Sequence, residues 1–151
     1  MCDAVTIRLA TEEDVEDMIG LVSLVFALEE DFQIDTDKQR QGLHLILQAG
    51  EERCLWVAEK DHVVVGMCSA QLLVSTAEGG WKALIEDVVV DESCRRQGVG
   101  RKLLEAVTIW AKKLGVKRED LLADRNNDRG LAFYDRLNWK KTNLIALQKK
   151  I

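Results

Sequence analysis

The sequence has no proline, one tyrosine and only two histidines among its 151 residues. Without proline, no helix or strand contains the residue that most strongly interrupts both. Two histidines are too few for a multi-histidine metal centre, so we predict no metal site. The four cysteines form neither a C-x-x-C pair nor a zinc-like spacing, and we interpret them as reduced thiols. They are Cys2, Cys54, Cys68 and Cys94.

Long hydrophobic runs are missing as well. No apolar stretch approaches the roughly 20 residues of a membrane-spanning helix. Residues 1–10 lack the basic start and apolar middle of a signal peptide. With 47% hydrophobic and 31% charged residues, the composition is that of an ordinary globular protein. We therefore predict one domain over residues 1–151, located in the cytoplasm and without a membrane partner.

Charge is unevenly distributed along the chain. The net charge is −5, yet residues 94–118 carry eight bases and one acid, whereas residues 1–50 carry eleven acids and three bases. A basic segment can indicate a nucleic-acid partner. The acidic pI of about 5.1 and the lack of interleaved aromatic residues argue against one. A local ligand with negative charge explains the basic segment with fewer assumptions.

Residues 85–104 contain the strongest functional signal. The run Ile85–Val90 is apolar and β-branched apart from Glu86 and Asp87, which indicates a largely buried strand. A helix with one continuous apolar face follows from Val99. Between strand and helix lies the segment Arg95-Arg96-Gln97-Gly98-Val99-Gly100, which places two glycines where the helix begins.

This strand–loop–helix arrangement suits a phosphate-bearing ligand. The first amides of a helix have no partner within it, and the helix dipole adds positive charge at that end. Glycines let a ligand approach the backbone, and arginines match phosphate. The alternative is an ordinary glycine-rich turn with solvated arginines. The Walker pattern and the dinucleotide fingerprint are excluded, because Arg101-Lys102 follows Gly100 and Leu103 occupies the third glycine position.

The pattern Arg95-x-x-Gly98-x-Gly100 after a valine-rich strand resembles the coenzyme A-binding motif of the GCN5-related N-acetyltransferase (GNAT) family. A second match lies further on, at Asn127, Gly130, Phe133, Tyr134 and Trp139. These residues resemble the family pattern Asn-x-x-Ala-x-x-aromatic-Tyr-x-x-x-Gly-Phe. Gly130 replaces the usual alanine and Asn138-Trp139 replaces Gly-Phe, which we interpret as packing variations.

The predicted elements follow the family's order over nearly the whole chain. Strands are predicted at Val5–Leu9, Cys54–Lys60, Val63–Val74, Trp81–Val90, Leu121–Ala123 and Lys140–Leu147. Helices are predicted at Val15–Phe26, from Thr36 or Asp37 to about Ala49, at Val99–Leu114 and at Asn127–Leu137. The order is β-α-α-β-β-β-α-β-α-β. The resemblance implies an α/β fold of the GNAT type, with a mixed, mostly antiparallel sheet flanked by helices.

The resemblance also implies a site for acetyl-CoA as cosubstrate. The backbone amides of Gln97, Gly98, Val99, Gly100, Arg101 and Lys102 would bind its pyrophosphate. The strand edge at Val88, Val89 and Val90 would pair with the pantetheine arm, in a splay opposite Leu121-Leu122, and an amide there would meet the thioester oxygen. Asn127 would contact the cosubstrate too. Arg95 and Arg96 are expected on the phosphates, with solvated loop residues as the alternative.

Two residues are candidates for the chemistry. Tyr134 is the single tyrosine and occupies the position where the family often places the proton donor of the departing thiolate. Its alternative role is a helix tyrosine with a packed ring and a surface hydroxyl. Glu86 interrupts an apolar strand, so it is a candidate base, acting directly or through water. Alternatively, Glu86 bonds to nearby backbone or to an arginine.

By this resemblance, the expected activity is transfer of an acetyl group from acetyl-CoA to a primary amine of a small molecule or peptide, by direct attack in a ternary complex. A cationic amine is favoured, because Glu29–Asp37 holds five acids and no base and the corresponding segment borders the family's acceptor site. The alternatives are an acyl-CoA-binding regulatory module without turnover and a nucleotide-binding protein. No nucleic-acid partner is expected, and a homodimer is compatible with the resemblance.

Overall fold

The computed structural model of the chain describes residues 4–29 and 31–151. Cys2 and Glu30, which figure in the predictions above, lie outside the described residues. The elements in chain order are β1 (Thr6–Leu9), α1 (Val15–Leu28), α2 (Thr36–Leu47), β2 (Arg53–Lys60), β3 (Val63–Ser75), β4 (Gly80–Val90), α3 (Val99–Lys113), β5 (Arg118–Leu121) and α4 (Asp128–Arg136). Most predicted elements are therefore confirmed to within a few residues.

The strands form one five-stranded sheet in the order β1-β2-β3-β4-β5. The first three pairings are antiparallel, so the mixed character of the sheet comes from β5, which runs parallel to β4. Asp61 (φ 51°) and His62 (φ 63°) join β2 to β3 in the left-handed backbone region that a two-residue hairpin turn requires. The predicted mixed sheet with flanking helices is confirmed.

Helices cover the sheet on both faces. On one face, Met18 and Val22 of α1 pack with Val57, Met67 and Val89 of the strands. On the other face lies α3, whose inner residues are at most 4% exposed; they are Val99, Leu103, Leu104, Val107 and Ala111. This helix comes so close to β3 that a Cβ on Gly66 would lie 3.2 Å from Leu103 Cδ1 and 3.2 Å from Val89 O. Only glycine fits the approach without displacing a neighbour.

The connection from β1 to α1 contains a partly buried ion pair. Arg8 donates two hydrogen bonds to the Asp14 carboxylate, of 2.8 Å and 2.9 Å, and a third to Glu59, of 2.6 Å. Thr11 N also donates to Asp14 Oδ2 over 2.8 Å. Asp14 is only 6% exposed. The hydrogen bonds from Arg8, more than any other interaction, lower the pKa of the Asp14 carboxyl.

A β-bulge interrupts β4 just before its C-terminal end. Ser69 pairs with Glu86 and Met67 pairs with Val89, so two steps along β3 correspond to three steps along β4. Asp87 lies between these two paired residues of β4 and has a positive φ of 53°. A bulge bends the strand and redirects side chains. As a result, Glu86 and Val89 lie on the same face of the sheet although they are three residues apart.

The chain divides into two compact units, one up to Asp120 and the other Leu121–Ile151. The prediction of a single domain over residues 1–151 stays a prediction. In the second unit, α4 begins after Asn127 and is followed by Leu137 as C-cap, which confirms the predicted helix. None of the described helices is long and apolar enough to cross a bilayer.

Two predicted strands near the C-terminus need correction. The strand predicted at Leu121–Ala123 begins three residues earlier, at Arg118–Leu121, where three consecutive charged residues conceal it in the sequence. The prediction of a strand at Lys140–Leu147 is wrong, since residues 139–151 contain no helix or strand. Leu144, Ile145 and Leu147 are 86%, 70% and 88% exposed. A strand needs a neighbour for its backbone groups, and the pairings among the described residues offer this segment none.

Candidate active site

Side-chain hydrogen bonds to the backbone shape the loop between β4 and α3. Arg95 Nε donates to Val90 O over 3.1 Å, and Gln97 Nε2 donates to Ser93 O over 3.2 Å. Arg96 and Gly98 both have positive φ, of 61° and 79°. The left-handed region favours glycine, so Gly98 fulfils a backbone requirement at this position. The loop thus turns sharply before the helix begins.

The start of α3 presents backbone amides without helical acceptors. Gly98 is the N-cap, and no side chain in the described part of the chain caps this helix. The first bond into the helix runs from Lys102 N to Gly98 O, over 3.1 Å. The amides of Val99, Gly100 and Arg101 precede that bond and have no acceptor within the helix. This geometry fits the predicted role of these amides in binding a pyrophosphate.

The basic side chains of the loop differ in whether other residues already bind them. Arg95 uses its Nε on the loop backbone, and Arg101 Nε donates to Glu105 Oε1 over 2.8 Å. Arg96 and Lys102 are exposed and form no ion pair with the described residues. They are therefore the cations best placed to meet a phosphate from solvent. Phosphate contacts of Arg95 and Arg96 stay predictions.

The last residues of β4 have an open edge. β5 begins beside Trp81, where Lys117 N donates to Trp81 O over 3.0 Å. β5 has only four residues, whereas β4 has eleven and continues to Val90. Because the two strands are parallel, β5 ends near the level of Ile85. On the side away from β3, Val88–Val90 thus have no strand partner among the described residues, while the splay opposite Leu121-Leu122 stays a prediction.

Two carboxylates precede this open edge. Glu86 is exposed, and its side chain has no hydrogen bond or ion pair within residues 4–29 and 31–151. The structural alternative for Glu86, a bond to backbone or arginine, is therefore not observed there. Asp87 is half-buried, and burial raises the pKa of its carboxyl to about 6, with smaller contributions from the negative charges of Glu86 and Glu29. Asp87 has no role among the predictions from the sequence, where its one signal is its position as a second charge in an apolar strand.

The second unit contains the remaining predicted residues, Asn127 and Tyr134. Asn127 Oδ1 accepts a hydrogen bond from Gly130 N over 3.0 Å and so caps α4. A Cβ on Gly130 would lie 2.6 Å from Asn127 Nδ2, so an alanine at this position would require the Asn127 side chain to shift. Tyr134 is half-buried between two aromatic rings, with centroids 5.2 Å away at Phe133 and 6.2 Å away at Trp139. Both functional roles stay predictions.

The three cysteines that the structure describes do not form an alternative reactive centre. Cys54, Cys68 and Cys94 are free and buried. Burial raises the pKa of the Cys54 thiol to about 12, so this residue is almost entirely in its unreactive protonated form at neutral pH. Within the described ranges, no group of three or more His, Cys, Asp or Glu residues could hold a metal ion.

The sequence of the chain matches a family of known proteins. The model of the acetyltransferase (GNAT) family matches residues 11–139. A probable N-acetyltransferase, camello of Xenopus laevis, is 31% identical over 97 residues, which are 64% of this chain and 42% of the relative. The chain spans less than two thirds of the length of the curated relatives that it matches.

Solved structures share the same fold. A transcriptional regulator from Bacillus halodurans superposes with a TM-score of 0.84 at 26% identity, over 98% of this chain and 100% of that chain. An aminoglycoside N-acetyltransferase in complex with CoA superposes with a TM-score of 0.85 at 20% identity, over 98% of this chain and 95% of that chain.

Proposed function

Because this chain belongs to the acetyltransferase (GNAT) family, we propose that it transfers an acetyl group from acetyl-CoA to a primary amine of a small molecule or peptide. The observation that carries the proposal is the end of β4. There, an open strand edge leads into a loop with a left-handed Gly98 and then into the uncapped amides that begin α3. An extended arm with a pyrophosphate at one end matches this sequence of features.

Acetyl-CoA would be bound mainly by the backbone. The amides from Gln97 to Lys102 would surround the pyrophosphate, and Arg96 and Lys102 would add positive charge. The edge of Val88–Val90 would hydrogen-bond the pantetheine arm as an added strand. Asn127 would add a contact, through groups other than the Oδ1 that caps α4. Direct attack by the amine within a ternary complex requires the two substrates to be held together.

The chemistry requires a neutral amine, a stabilised oxyanion and a proton for the thiolate. An amide of the β4 edge would donate to the thioester oxygen as negative charge develops on it. The Tyr134 hydroxyl would donate the proton to the departing sulfur. A carboxylate next to the β4 edge would accept the proton of the incoming ammonium, and Glu86 is the residue that the sequence suggests for it.

Negative charge favours a cationic acceptor. Glu29, Asp31, Asp35 and Asp37 lie on the segment that joins α1 to α2 or at its ends, and in solution they would attract an ammonium. The same segment exposes apolar side chains, with Leu28 74% and Phe32 41% exposed. An amine with an apolar portion would complement both. The aminoglycoside acceptor named for one solved relative is a polycationic amine, which is consistent with this class.

The proposal is tested by binding and then by turnover. We expect acetyl-CoA and CoA, but not ATP, to bind the purified chain in calorimetry. A panel of primary amines and lysine peptides, incubated with acetyl-CoA and analysed by mass spectrometry, should yield products heavier by one acetyl group. A protein that binds neither acetyl-CoA nor CoA at millimolar concentration would refute the proposed function.

A second candidate function is an acyl-CoA-binding regulatory module without turnover. It is favoured by the solved relative described as a transcriptional regulator, which is 26% identical and has the same fold. Such a module needs the loop at Arg95–Lys102 but no proton donor at Tyr134. Binding of acetyl-CoA without acetylation of any amine in the panel would favour this candidate over the enzyme.

A further inference from the structure

The β-bulge of β4 presents an aspartate whose environment is unlike that of the chain's exposed acids. Asp87 is half-buried and forms no hydrogen bond or ion pair with the described residues. The charged groups that act on it are both negative, Glu86 on the same strand and Glu29 just after α1. On the facing stretch of β3, Cys68 directs its thiol to Leu103 O on α3, over 3.8 Å. No described cation neutralises Asp87.

The position of Asp87 in the strand is equally specific. It directly precedes Val88–Val90, the open edge to which the thioester arm would bind. Glu86 lies on the sheet face that α1 covers, because it pairs with Ser69, two residues from the core residue Met67, and Glu29 directly follows α1. A proton acceptor at Asp87 would lie next to the strand edge that is proposed to bind the thioester arm.

We infer that Asp87, which the β-bulge places directly before the open edge of β4, is the general base that deprotonates the acceptor ammonium. The inference rests on the proposed function and assigns to Asp87 the role that the sequence suggested for Glu86. Desolvation and two like charges disfavour the ionised carboxylate, which makes it a better proton acceptor than an exposed acid. Glu86 lacks such an environment because it is exposed.

The reaction balances with this assignment. The Asp87 carboxylate takes one proton from the ammonium, and the freed nitrogen lone pair forms a C–N bond to the acetyl carbon while the C=O π electrons move to oxygen. When the C=O bond reforms, the C–S bond breaks and its electron pair leaves on sulfur. The second proton of the nitrogen balances the proton delivered to sulfur through Tyr134. Ammonium and acetyl-CoA thus yield amide, CoA thiol and one proton, which Asp87 releases to water.

The test compares two Asp→Asn variants that occupy the same backbone region. Asp87 (φ 53°) and Asp61 (φ 51°) are both left-handed, and asparagine tolerates that conformation as well as aspartate does. Asp61 is exposed in the turn between β2 and β3, so Asp61→Asn is the matched control. Calorimetry gives the acetyl-CoA Kd, and kcat/KM is measured from pH 5 to pH 9.5 with the best amine of the panel.

For Asp87→Asn we expect kcat/KM at pH 7 to fall by about 10²–10⁴, as for loss of a general base, with acetyl-CoA Kd unchanged. The defect should shrink at pH 9.5, where more of the amine is already neutral. The wild-type enzyme should lose activity as the pH falls through about 6, where Asp87 becomes protonated. Glu86→Gln removes one neighbouring negative charge, so it should move this loss to lower pH. Asp61→Asn should behave as the wild type does.

The possible failures are distinguishable. If the wild type acetylates an amine and Asp87→Asn keeps more than about a third of its kcat/KM at pH 7, far outside the range for a general base, the inference is overturned. If Glu86→Gln abolishes the low-pH loss and Asp87→Asn does not, Glu86 is the base. If the wild type neither binds acetyl-CoA nor acetylates any amine, the proposed function fails and the inference fails with it. Should product release limit turnover, single-turnover rates are compared instead.

Discussion

The hydroxyl of Tyr134 is the group that we propose as the proton donor to the departing thiolate. Its ring packs against Phe133 and Trp139, and phenylalanine would keep that packing. We expect Tyr134→Phe to lower kcat by about 10²–10⁴ because a positioned acid is lost. The acetyl-CoA Kd should stay the same, since the ring and the amides at α3 are unchanged. Steady-state kinetics with calorimetry measures both.

A kcat within about threefold of the wild type would rule out this role for Tyr134, provided that chemistry limits turnover. The alternative role, a packed helix tyrosine, predicts a loss of stability in Tyr134→Ala but no loss of kcat in Tyr134→Phe. Comparing the two substitutions separates the ring from the hydroxyl.

Single residues differ in how far sequence alone reveals them. Gly98 was predictable, because a glycine at a strand–helix junction beside arginines indicates a turn near an anion, and its φ of 79° agrees. Asp87 was not. The role proposed for Asp87 depends on the bulge and on the charge of Glu29. Glu29 lies 58 positions earlier in the chain, and only folding brings it near Asp87. Desolvation of a carboxylate is a property of tertiary structure that no local pattern encodes.

At the level of elements, the turn into α3 yields a paired experiment. Gly98 and Gly79 both have positive φ, of 79° and 66°, and a Cβ would meet no atom within 4 Å at either position. A glutamate at either position should therefore cost about 1–2 kcal/mol of backbone strain. Only Gly98→Glu places a carboxylate at the amides that begin α3, where it would repel phosphate.

We therefore expect acetyl-CoA to raise the Tm of the wild type and of Gly79→Glu, but not of Gly98→Glu. A ligand at a hundredfold excess over Kd stabilises the native state by about 2.7 kcal/mol, which a thermal shift assay resolves easily. An equal shift in all three proteins would contradict binding at this helix start.

The acidic segment between α1 and α2 is tested as a unit. Glu29→Gln, Glu30→Gln and Asp31→Asn together should raise KM for a cationic acceptor by about 3- to 10-fold, since exposed charges contribute roughly 0.2–1 kcal/mol each. The effect should weaken with added salt. The control variant combines Glu13→Gln, Glu51→Gln and Glu52→Gln, which removes the same net charge from exposed sites elsewhere. If both triple variants show the same KM, the segment does not guide the acceptor.

Elements with strong local signals were the predictable ones. The amphipathic α3 and the hairpin of β2 and β3 have regular apolar periods and turn residues that specify them. β5 was displaced in the prediction because its residues Arg118, Glu119 and Asp120 are charged, and sheet pairing overrides their low strand propensity. The strand prediction for residues 140–147 was wrong for the opposite reason. It is apolar enough for a strand, but a strand also requires a neighbouring edge.

For the molecule as a whole, stability should depend on the Arg8–Asp14 pair. Arg8→Ala leaves the Asp14 carboxylate buried without its partner, and we expect a loss of about 2–4 kcal/mol at pH 7, somewhat below the range for fully buried pairs because Arg8 is partly exposed. Arg40→Ala is the matched control. Arg40 bonds Glu16 and Asp37 in a similar way but at the surface, where solvent screens the charges, so its loss should destabilise the fold much less than the loss of Arg8.

The difference in unfolding free energy between the wild type and Arg8→Ala should depend on pH in a defined direction. The pKa of Asp14 is lowered in the folded state, so its pairing with Arg8 stabilises the fold above the pKa of the unfolded carboxyl, about 4. That contribution is lost as the pH falls through the folded pKa. Urea unfolding should therefore show a large gap between wild type and Arg8→Ala at pH 7 that narrows below pH 4. A gap that stays constant with pH would show that Arg8 acts through packing rather than through charge.

Much of the overall arrangement was accessible from the sequence, down to the order of nine of its ten predicted elements. The position of the β4 carboxylates relative to the basic loop could be predicted from the sequence only in part. Both lie in one short stretch, residues 86–102, so their proximity is local. The side of the sheet that each residue faces is not local, because the bulge changes it and no residue in the sequence announces the bulge.

That bulge makes the length of β4 as consequential as its composition. Ile85 pairs with Ala70 and Val89 with Met67, so these two residues lie on opposite faces although regular alternation would put them on the same one. Deletion of a single codon between them would restore regular alternation. With one residue fewer, Ile85 and Val89 would lie three positions apart, so regular alternation would keep each on the face that it occupies now. Such a deletion would remove the bend that the bulge imposes on the strand, while both faces of the sheet kept their core residues. Among mutations of this strand, a point substitution changes one side chain, whereas a deletion at this position would change the path of the backbone.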